Sequence, residues 1–316
     1  MKLVLAINPG STSTKIALFD EFKQLFVRNI QHSNEVTSQY KSIIDQLDFR
    51  LELIRKELAD SNLPMQAIKA IVGRGGLVKP VPSGVIAVNE ALKRDLRNSP
   101  LGEHASNLGG LIAEELSKDI PGCKAYIVDP VVVDEMEPVA RVSGHPKFER
   151  KSIFHPLNQK AVARLHAHSI NREYEELNLI VAHMGGGITI GAHRKGKVID
   201  VNNGLDAEGP ITPERSGTLP AGDLVRLCFS GEYSKADVME MLKGKGGFVA
   251  YFGTNNAYEI EKRAAAGDEK AQLLQAALSY QVAKFIGAMG TVLKGEVDAI
   301  LLTGGIAYGK PVVDDI

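Results

Sequence analysis

The chain has 316 residues, 44% of them hydrophobic, and is long enough for two domains that each bury a core. Its 37 basic and 38 acidic residues give a formal net charge of −1 and are dispersed, which excludes a basic block that would follow a nucleic acid backbone. An apolar run of five residues precedes Asn8, too short for a membrane span or a signal peptide. We therefore expect a cytoplasmic protein that binds neither nucleic acid nor membrane.

The first half of the chain predicts a mixed α/β structure. The runs KLVLAIN, KIALFD and KQLFVRNI are rich in β-formers and are separated by turn residues, which predicts a β-meander. From about Ser38 to Ala59, apolar residues recur at helical spacing and predict one amphipathic helix. The run AIKAIVGRGG predicts a buried strand that ends near Arg74, and KAYIVD predicts another that ends at Asp129.

The second half repeats this order of elements. LNLIVAHM, ITIGAHR and KVIDVN form another predicted meander, a long helix is predicted from about Lys270 to Leu293, and VDAILLTGG corresponds to AIKAIVGRGG. We infer an internal duplication, with one domain over 1–150 and another over 151–316. In the first half a helix, a strand and another helix follow the paired glycines, so we expect the second domain to lack its last strand and helix.

The segment NPGSTSTK predicts a turn that suits phosphate. Its candidates are Asn8, Ser11, Ser13 and Lys15, because hydroxyls and backbone amides bond to phosphoryl oxygens and a lysine neutralises their charge. It is no Walker loop, since no GxxxxGK[ST] opens a helix. A solvated hairpin rich in Ser and Thr is the simpler interpretation of this segment alone.

Two glycine-rich turns in the second half also allow a ligand close to the backbone. His183 precedes Gly185, Gly186 and Gly187, where the missing Cβ atoms leave space, although a plain β-turn fits equally well. Phosphate-compatible turns at equivalent places in two repeats predict a triphosphate held between the domains. Gly304 and Gly305 follow a buried strand and suit a nucleobase or ribose, the alternative being a helix entry turn.

Several charged or titratable side chains lie in irregular chain. Arg74 and Arg215 are flanked by glycine or proline, and a guanidinium binds a carboxylate or phosphoryl group by two bonds, although a loop salt bridge is an equal alternative. Asp129 ends an apolar strand, where ligands meet α/β sheets. His155 begins a helix and His104 precedes another, and for each a structural hydrogen bond is the simpler interpretation.

Other enzyme classes find no support in the sequence. Cys123 and Cys228 are far apart and in no metal-ligand spacing, so we expect reduced thiols. Neither HExxH nor GxSxG occurs, which removes the sequence signals of a zinc protease and of a serine hydrolase.

A resemblance to a known family runs along nearly all of the chain. It is carried by NPGSTSTK, VGRGG, IVDP, ERKSIFHPLNQKAVAR, AHMGGGITIGAHRKGKVIDVNNGLDAEGP, PERSGTLPAGDLVRLC, GKGGFVAYFGTN and LLTGGIAYGK. Together these segments resemble the butyrate kinases of the acetate kinase family. The resemblance implies an α/β fold of duplicated actin-like, ribonuclease H-like domains with a nucleotide cleft between them.

The resemblance implies a role for each candidate residue. It assigns phosphate binding to Asn8, Ser11, Ser13, Lys15, His183, Gly185, Gly186 and Gly187, with Asn8 as a weak magnesium ligand, and adenosine binding to Gly304 and Gly305. Arg74 and Arg215 match two arginines that bind the carboxylate and the phosphoryl oxygens. His155 matches a histidine that stabilises the transition state, Asp129 an aspartate that positions the arginines, and His104 a histidine at the edge of the substrate site.

The activity implied by the resemblance is reversible phosphoryl transfer between ATP and butyrate, giving butyryl phosphate and ADP with Mg²⁺. A kinase for another short or branched-chain carboxylate is one alternative. The other is an inactive nucleotide-binding actin-like protein, favoured by the absence here of an acidic loop with a magnesium-binding glutamate that ends the family's chain. Asn256 and Tyr258 stand where butyrate kinases usually carry an aspartate and an arginine. Because relatives associate, a homo-oligomer is expected.

Overall fold

The computed structural model describes residues 3–61 and 63–316. It divides into two compact units, Met1–Val133 and Asp134–Ile316. Residues 134–150, which the sequence prediction assigns to the first domain, lie in the second unit, where Arg150 bonds to Asp200 and Glu208. Each unit has its own sheet and its own hydrophobic core.

The first unit is built on a mixed sheet that begins with the predicted meander. Its strands are β1 (Leu3–Pro9), β2 (Ser13–Asp20), β3 (Lys23–Gln31), β4 (Ile68–Arg74), β5 (Val85–Ala87) and β6 (Lys124–Val128). Their order in the sheet is β3-β2-β1-β4-β6-β5, with β1 parallel to β4 and β4 parallel to β6. The carboxyl ends of β1, β4 and β6 therefore lie at one edge of the sheet, where ligands commonly bind in α/β proteins.

The described part of the first unit contains four α-helices, two of which pack against this sheet. They are α1 (Asn34–Thr37), α2 (Leu47–Ala59), α3 (Glu90–Asn98) and α4 (Asn107–Lys118). Leu51, Ile54 and Leu58 of α2 pack in the core with the apolar side chains of β1 and β2. Helix α4 lies so close to β4 that a Cβ atom on Gly73 would overlap the backbone of Gly109, which explains the glycines at this crossing.

The predicted helix from Ser38 to Ala59 is too long at its start. Helix α2 begins at Leu47 and is preceded by a single 3-10 turn, Ile44–Gln46. Before it, the backbone N–H of Ser42 donates to the Asp45 carboxylate at 3.0 Å, a local bond that competes with the helical ladder.

The second unit repeats the meander and adds one parallel strand. Its strands are β7 (Asn178–Met184), β8 (Ile188–Arg194), β9 (Lys197–Val201) and β10 (Ala299–Thr303), in the order β10-β7-β8-β9. Its helices are α5 (Pro138–Arg141), α6 (Pro156–Ser169), α7 (Ala221–Cys228), α8 (Lys235–Leu242), α9 (Gly247–Phe252), α10 (Ala257–Ala265), α11 (Glu269–Val292) and α12 (Lys310–Asp314).

Strand β7 is buried on both faces because helices cover each side of this sheet. Ile180 and Ala182 pack in the cluster that holds the apolar face of α11, whereas Leu179 and Val181 pack with residues of α6. This two-sided burial explains why β7 reads as a continuous apolar run. Within the described residues, no helix combines the length and the apolar composition needed to cross a membrane.

The two sheets support the inferred duplication. In each, three antiparallel strands form a meander, and the first of them also pairs in parallel with a later strand: β1 with β4, and β7 with β10. The turn between β1 and β2 is therefore equivalent to the turn between β7 and β8. These are the two turns in which the sequence predicts phosphate binding.

Candidate active site

The first of these turns, residues 10–13, is named here the hydroxyl turn. The backbone N–H of Gly10 donates to the Ser13 carbonyl at 2.7 Å and closes it. Asn8 and Lys15 are paired opposite each other on β1 and β2, at the base of the turn, and both are exposed. Ser11 is also exposed and Ser13 is half-buried, so the predicted phosphate ligands of this turn gather at one end of the β1–β2 hairpin.

A buried arginine that the sequence interpretation missed supports the hydroxyl turn from below. Arg50 of α2 is 0% exposed, and its guanidinium donates to the Gly10 carbonyl at 2.8 Å and to Thr14 Oγ1 at 3.0 Å. It also donates to Gln46 Oε1 at 2.8 Å. Burial lowers the pKa of Arg50, but a guanidinium stays charged in proteins, so a fixed positive charge lies beneath the turn.

The sequence does carry a signal for Arg50. It lies three residues after Leu47 and four before Ile54, so it falls on the apolar face of α2. A charged residue at such a position is either paired or functional, because burying an unpaired charge is costly. The signal identifies an unusual arginine, but two of its partners, Gly10 and Thr14, lie 36 to 40 residues away in the chain.

Arg74 ends strand β4, and Asp129 directly follows the neighbouring parallel strand β6. The Arg74 guanidinium donates to Asn8 Oδ1 at 3.4 Å, which joins the end of β4 to the base of the hydroxyl turn. Burial lowers the pKa of Arg74. Asp129 is 3% exposed, has a φ of 38°, and accepts bonds from the Ser83 hydroxyl at 2.7 Å and the Gly84 N–H at 2.8 Å. A positive φ in a non-glycine residue is uncommon and clusters at functional sites.

His104 lies in the irregular segment before α4, as the sequence predicts, and is exposed. Its Nδ1 accepts a bond from the backbone N–H of Ser106 at 3.1 Å. A backbone N–H can only donate, so Nδ1 is the acceptor nitrogen of this imidazole. The hydroxyl turn, Arg74, Asp129 and His104 all belong to the first unit.

The second turn, residues 185–187, is named here the glycine turn. The Gly185 N–H donates to the Gly187 carbonyl at 3.1 Å, and the Thr212 hydroxyl donates to the Gly186 carbonyl at 2.7 Å. A Cβ atom on Gly187 would overlap the guanidinium of Arg215, so glycine at this position leaves space for that arginine. Arg215 donates to the Gly204 carbonyl, and burial lowers its pKa.

Two histidines are stacked beside the glycine turn. The rings of His155 and His183 lie 3.9 Å apart between centroids and are tilted by 16°. His183 Nδ1 donates to Asn158 Oδ1 at 2.7 Å. His155 is the N-cap residue of α6, and its Nδ1 lies 2.8 Å from Thr189 Oγ1. The structure thus brings His155, His183, Arg215 and the glycine turn together in the second unit.

A cavity of about 310 Å³ opens beside the third predicted glycine site. Gly305 contributes to its wall, and Gly304 has a φ of 91° and lies against the backbone of Met184, so a Cβ atom there would overlap β7. Apolar side chains such as Phe248 and Ile306 line the cavity. Its size and apolar walls are typical of a small-molecule site.

Polar side chains of α10 and α11 complete the cavity. Gln275 lines it, and its Oε1 is buried and accepts no hydrogen bond from the residues that the structure describes. The ring of Tyr258, 61% exposed, forms another part of the wall, with the Lys262 ammonium 4.4 Å from its centroid. Asn256 caps α10 by accepting the N–H groups of Tyr258 and Glu259.

The described residues contain no group of three or more His, Cys, Asp or Glu side chains that would hold a metal ion by themselves. Oxygen donors at the predicted magnesium position include the Asn8 amide and the hydroxyls of Ser11 and Ser13. Magnesium is commonly bound by few protein ligands together with substrate phosphates and water. The residues therefore fit a magnesium ion that arrives with a nucleotide.

Two comparisons with known proteins point to the same family. A model of the acetokinase family matches residues 146–313. Butyrate kinase 2 of Clostridium acetobutylicum is 56% identical over 313 residues, which cover 99% of this chain and 88% of that protein.

Solved structures show the fold. An acetate kinase of Porphyromonas gingivalis aligns with a TM-score of 0.82 at 22% identity, covering 100% of this chain and 86% of its own. A propionate kinase of Francisella tularensis aligns with a TM-score of 0.77 at 22% identity, and the alignment covers 100% of this chain and 87% of that kinase. The predicted fold class, α/β with duplicated actin-like domains, is confirmed.

Proposed function

This chain belongs to the acetokinase family, and we propose that it is a butyrate kinase, which transfers a phosphoryl group reversibly between ATP and butyrate. The products in the forward direction are butyryl phosphate and ADP. The observation that carries the proposal is the 56% identity to a butyrate kinase along 99% of the chain. The 313 aligned residues span the hydroxyl turn, the glycine turn and both candidate arginines.

The chemistry explains why these residue types are needed. A short carboxylic acid has a pKa near that of Glu, about 4.3, so its carboxylate is already an ionised nucleophile at neutral pH. The main obstacle is repulsion between that carboxylate and the phosphate charges. We assign Arg74 and Arg215 to the carboxylate and the phosphoryl oxygens, because guanidinium groups bind both in a two-pronged geometry. Asp129 is the proposed positioning residue for the arginines, and His104 lies at the edge of the substrate site.

Phosphoryl transfer is catalysed mainly by positioning and by donors aimed at the transferring oxygens. His155 is the proposed donor that stabilises the transition state. The glycine turn offers backbone N–H groups beside it, and His183 stacks on its ring. In the first unit, the hydroxyls of Ser11 and Ser13 and the ammonium of Lys15 are the proposed phosphate ligands, with the charge of Arg50 beneath them.

Magnesium is part of the proposal as a companion of the nucleotide. Asn8 would contribute one oxygen ligand, and the phosphates and water would contribute the others. When bound, the ion would neutralise charge on the phosphoryl oxygens.

The cavity beside Gly305 is the proposed adenosine site. The exposed face of the Tyr258 ring suits stacking on a base, in a place where butyrate kinases usually have arginine. The Gln275 amide carries a donor and an acceptor side by side, which matches the donor and acceptor on an adenine edge. The guanine edge formed by N7 and O6 carries two acceptors and no donor. Against that edge the Gln275 Oε1 atom would have no hydrogen-bond donor.

Two further features complete the proposal. We place the reaction in the cytoplasm, where ATP is available, and the thiols of Cys123 and Cys228 are free, as a reducing compartment requires. We also propose a homo-oligomer, because the outer face of α11 exposes Leu273 and Tyr280, and a Cβ atom on Gly287 would meet open space. Light scattering coupled to gel filtration measures this directly, and a monomer at micromolar concentration would contradict it.

Hydroxylamine trapping of acyl phosphate tests the activity. With butyrate, ATP and Mg²⁺, we expect product from the parent chain and a loss of roughly 10³-fold in kcat for Arg215→Ala. Arg226→Ala is the matched control, because that arginine is exposed and pairs only with its helix neighbour Asp223 in the described chain. Thermal unfolding of all three proteins separates lost chemistry from lost folding.

The same assay distinguishes the alternatives. Acetate, propionate, butyrate and isobutyrate at equal concentrations rank the acyl acceptors, and a higher kcat/KM for an acid other than butyrate would change the assigned substrate. If calorimetry detects ADP binding but no acid gives product, the chain is a nucleotide-binding protein without turnover.

A further inference from the structure

A buried line of hydrogen bonds leads from the core of the second unit to His155. The Tyr174 hydroxyl lies 2.6 Å from His193 Nδ1, and His193 Nε2 lies 3.0 Å from Gln159 Oε1. Gln159 Nε2 is 2.9 Å from Thr189 Oγ1, which is 2.8 Å from His155 Nδ1. We call these five side chains the histidine network. His193, Gln159 and Thr189 are each 0% exposed.

The direction of each bond follows from the backbone carbonyl of Thr189. It lies 2.9 Å from the Gln159 amide, and a carbonyl can only accept, so the nitrogen Nε2 must face it. The opposite atom of the amide, Oε1, then faces His193 Nε2. Because a carbonyl oxygen accepts, His193 carries a hydrogen on Nε2.

His193 is neutral in this position. Burial, with the positive charge of Lys160 as a smaller contribution, lowers its pKa to about 3. A neutral imidazole carries one hydrogen, so Nδ1 is an acceptor and the Tyr174 hydroxyl donates to it. The orientation of Gln159 is thus set at both ends: by the Thr189 carbonyl and by a histidine that does not take up a second proton near pH 7.

The Thr189 hydroxyl determines which nitrogen of His155 accepts a hydrogen bond. Its oxygen accepts a hydrogen from Gln159 Nε2, and its own hydrogen needs an acceptor because the side chain is fully buried. In the described part of the chain, the acceptor bonded to this hydroxyl is His155 Nδ1. An acceptor Nδ1 has no hydrogen, so the hydrogen of a neutral His155 is on Nε2.

We infer that the histidine network holds His155 as the neutral tautomer with its hydrogen on Nε2. His155 then acts as a hydrogen-bond donor to the transferring phosphoryl oxygens and not as a general base, which an ionised carboxylate nucleophile does not require. A hydrogen on Nδ1 would face the Thr189 oxygen and force the buried hydroxyl away from its acceptor. The catalytic consequence rests on the proposed function, whereas the tautomer does not.

Thr189, Gln159 and His193 are therefore positioning residues for His155. Nuclear magnetic resonance of protein labelled with ¹⁵N-histidine distinguishes the two neutral tautomers by their nitrogen shifts and by couplings to the ring hydrogens. His155→Asn identifies the signal of His155. We expect the Nε2–H form in the parent protein at pH 8.

Variants of Thr189 test whether the network causes this. Thr189→Val removes the hydroxyl, and we expect a mixture of tautomers with kcat lower by roughly 10- to 100-fold and little change in the KM for ATP. Thr189→Ser keeps the hydroxyl and should retain the Nε2–H form and most of kcat. Thr291→Val is the control, since that exposed hydroxyl on α11 bonds only to the Gly287 carbonyl in the described chain.

The outcomes separate this inference from the proposed function. An Nδ1–H signal in the parent, or an unchanged tautomer in Thr189→Val, overturns the inference whatever the activity. An Nε2–H signal that is lost in Thr189→Val and kept in Thr189→Ser supports it, even if no acid is phosphorylated, in which case the proposed function alone fails. If Thr189→Val does not fold, the tautomer of His155 in the parent protein and in Thr189→Ser still tests the inference. An Nδ1–H form in either protein would overturn it.

Discussion

The hydroxyl turn and the glycine turn occupy equivalent places in the two sheets, yet different arginines support them. Arg50 is fully buried under the hydroxyl turn, and its donors are used by Gly10, Ser13, Thr14 and Gln46. Arg215 lies beside the glycine turn, where the bond to the Gly204 carbonyl is the one its guanidinium makes with the described residues. An arginine whose donors are occupied stabilises a turn, whereas one with donors to spare is suited to a ligand. We therefore expect Arg50 to govern stability and Arg215 to govern turnover.

The largest expected effect is on turnover, in Arg215→Lys. A lysine keeps the charge but loses the two-pronged geometry, so kcat should fall by roughly 10²- to 10³-fold. The melting temperature should change little. Steady-state kinetics with butyrate and ATP, together with calorimetric unfolding, measure both. A variant with near-parental kcat would remove Arg215 from the reaction and with it this contrast.

The next effect is on stability, in Arg50→Met. Removing the guanidinium leaves buried carbonyl and hydroxyl acceptors unpaired, which should lower the free energy of unfolding by about 3 kcal/mol. Urea denaturation measures this. Arg55→Met, on the same helix, removes an exposed pair with Asp119 and should cost less than about 1 kcal/mol. If the two variants lost the same free energy of unfolding, the bonds of Arg50 to the hydroxyl turn would contribute no more to stability than an exposed ion pair.

A smaller effect is expected on the pH dependence of the free energy of unfolding. One buried histidine from each unit, His32 and His193, should contribute to it. Burial lowers the pKa of His32 to about 4 and that of His193 to about 3, both below the usual value of 6.5. Between those values and 6.5 the unfolded chain binds more protons than the folded chain, so stability decreases as pH falls.

Each histidine should contribute a slope of about 1 kcal/mol per pH unit near pH 5.5. Urea denaturation between pH 7 and 5 measures the slope for the parent, His32→Gln and His193→Gln. Each substitution should reduce it. A slope that neither substitution changes would mean that other groups cause the acid sensitivity.

The smallest effect is on base selection by Gln275. Gln275→Leu should raise the KM for ATP by about fivefold and reduce the preference for ATP over GTP, since one good base contact contributes about 1 kcal/mol. Competition assays with both nucleotides measure this. Gln24→Leu, on the exposed strand β3, should change neither value. An unaltered preference in Gln275→Leu would place base recognition elsewhere.

Local patterns predicted most of the elements. The meanders, β4, β6, β10 and the long helix α11 were predicted within a few residues, because each strand is a run of β-formers between turn residues and the helix has a 3.6-residue apolar period. The start of α2 was predicted wrongly. Ile43 and Ile44 extend the apolar period toward the N-terminus, but the backbone N–H of Ile43 bonds to the Glu103 carboxylate, 60 residues away. A distant partner of this kind leaves no local signal.

In the candidate site, too, some features have a local sequence signal and others depend on distant partners. Glycines and hydroxyls in the turns were recognisable because backbone freedom and donor type are properties of single residues. Gln159 and Thr189 gave no signal, since each is an ordinary residue within a helix or strand. Their importance depends on bonds to partners 30 or more residues away.

The sequence by itself determined the order of the main elements, the duplication, the two turns and the family resemblance. Each of these depends on residues that are neighbours in the chain or on short repeats of apolar residues. Only the tertiary structure decided that Arg50 supports the hydroxyl turn, that Gln275 lines a cavity, and that Thr189 connects a buried histidine to His155. The physical reason is that hydrogen bonds are short and directional. Folding alone brings distant donors and acceptors within 3 Å, and only then do their directions set which nitrogen carries a proton.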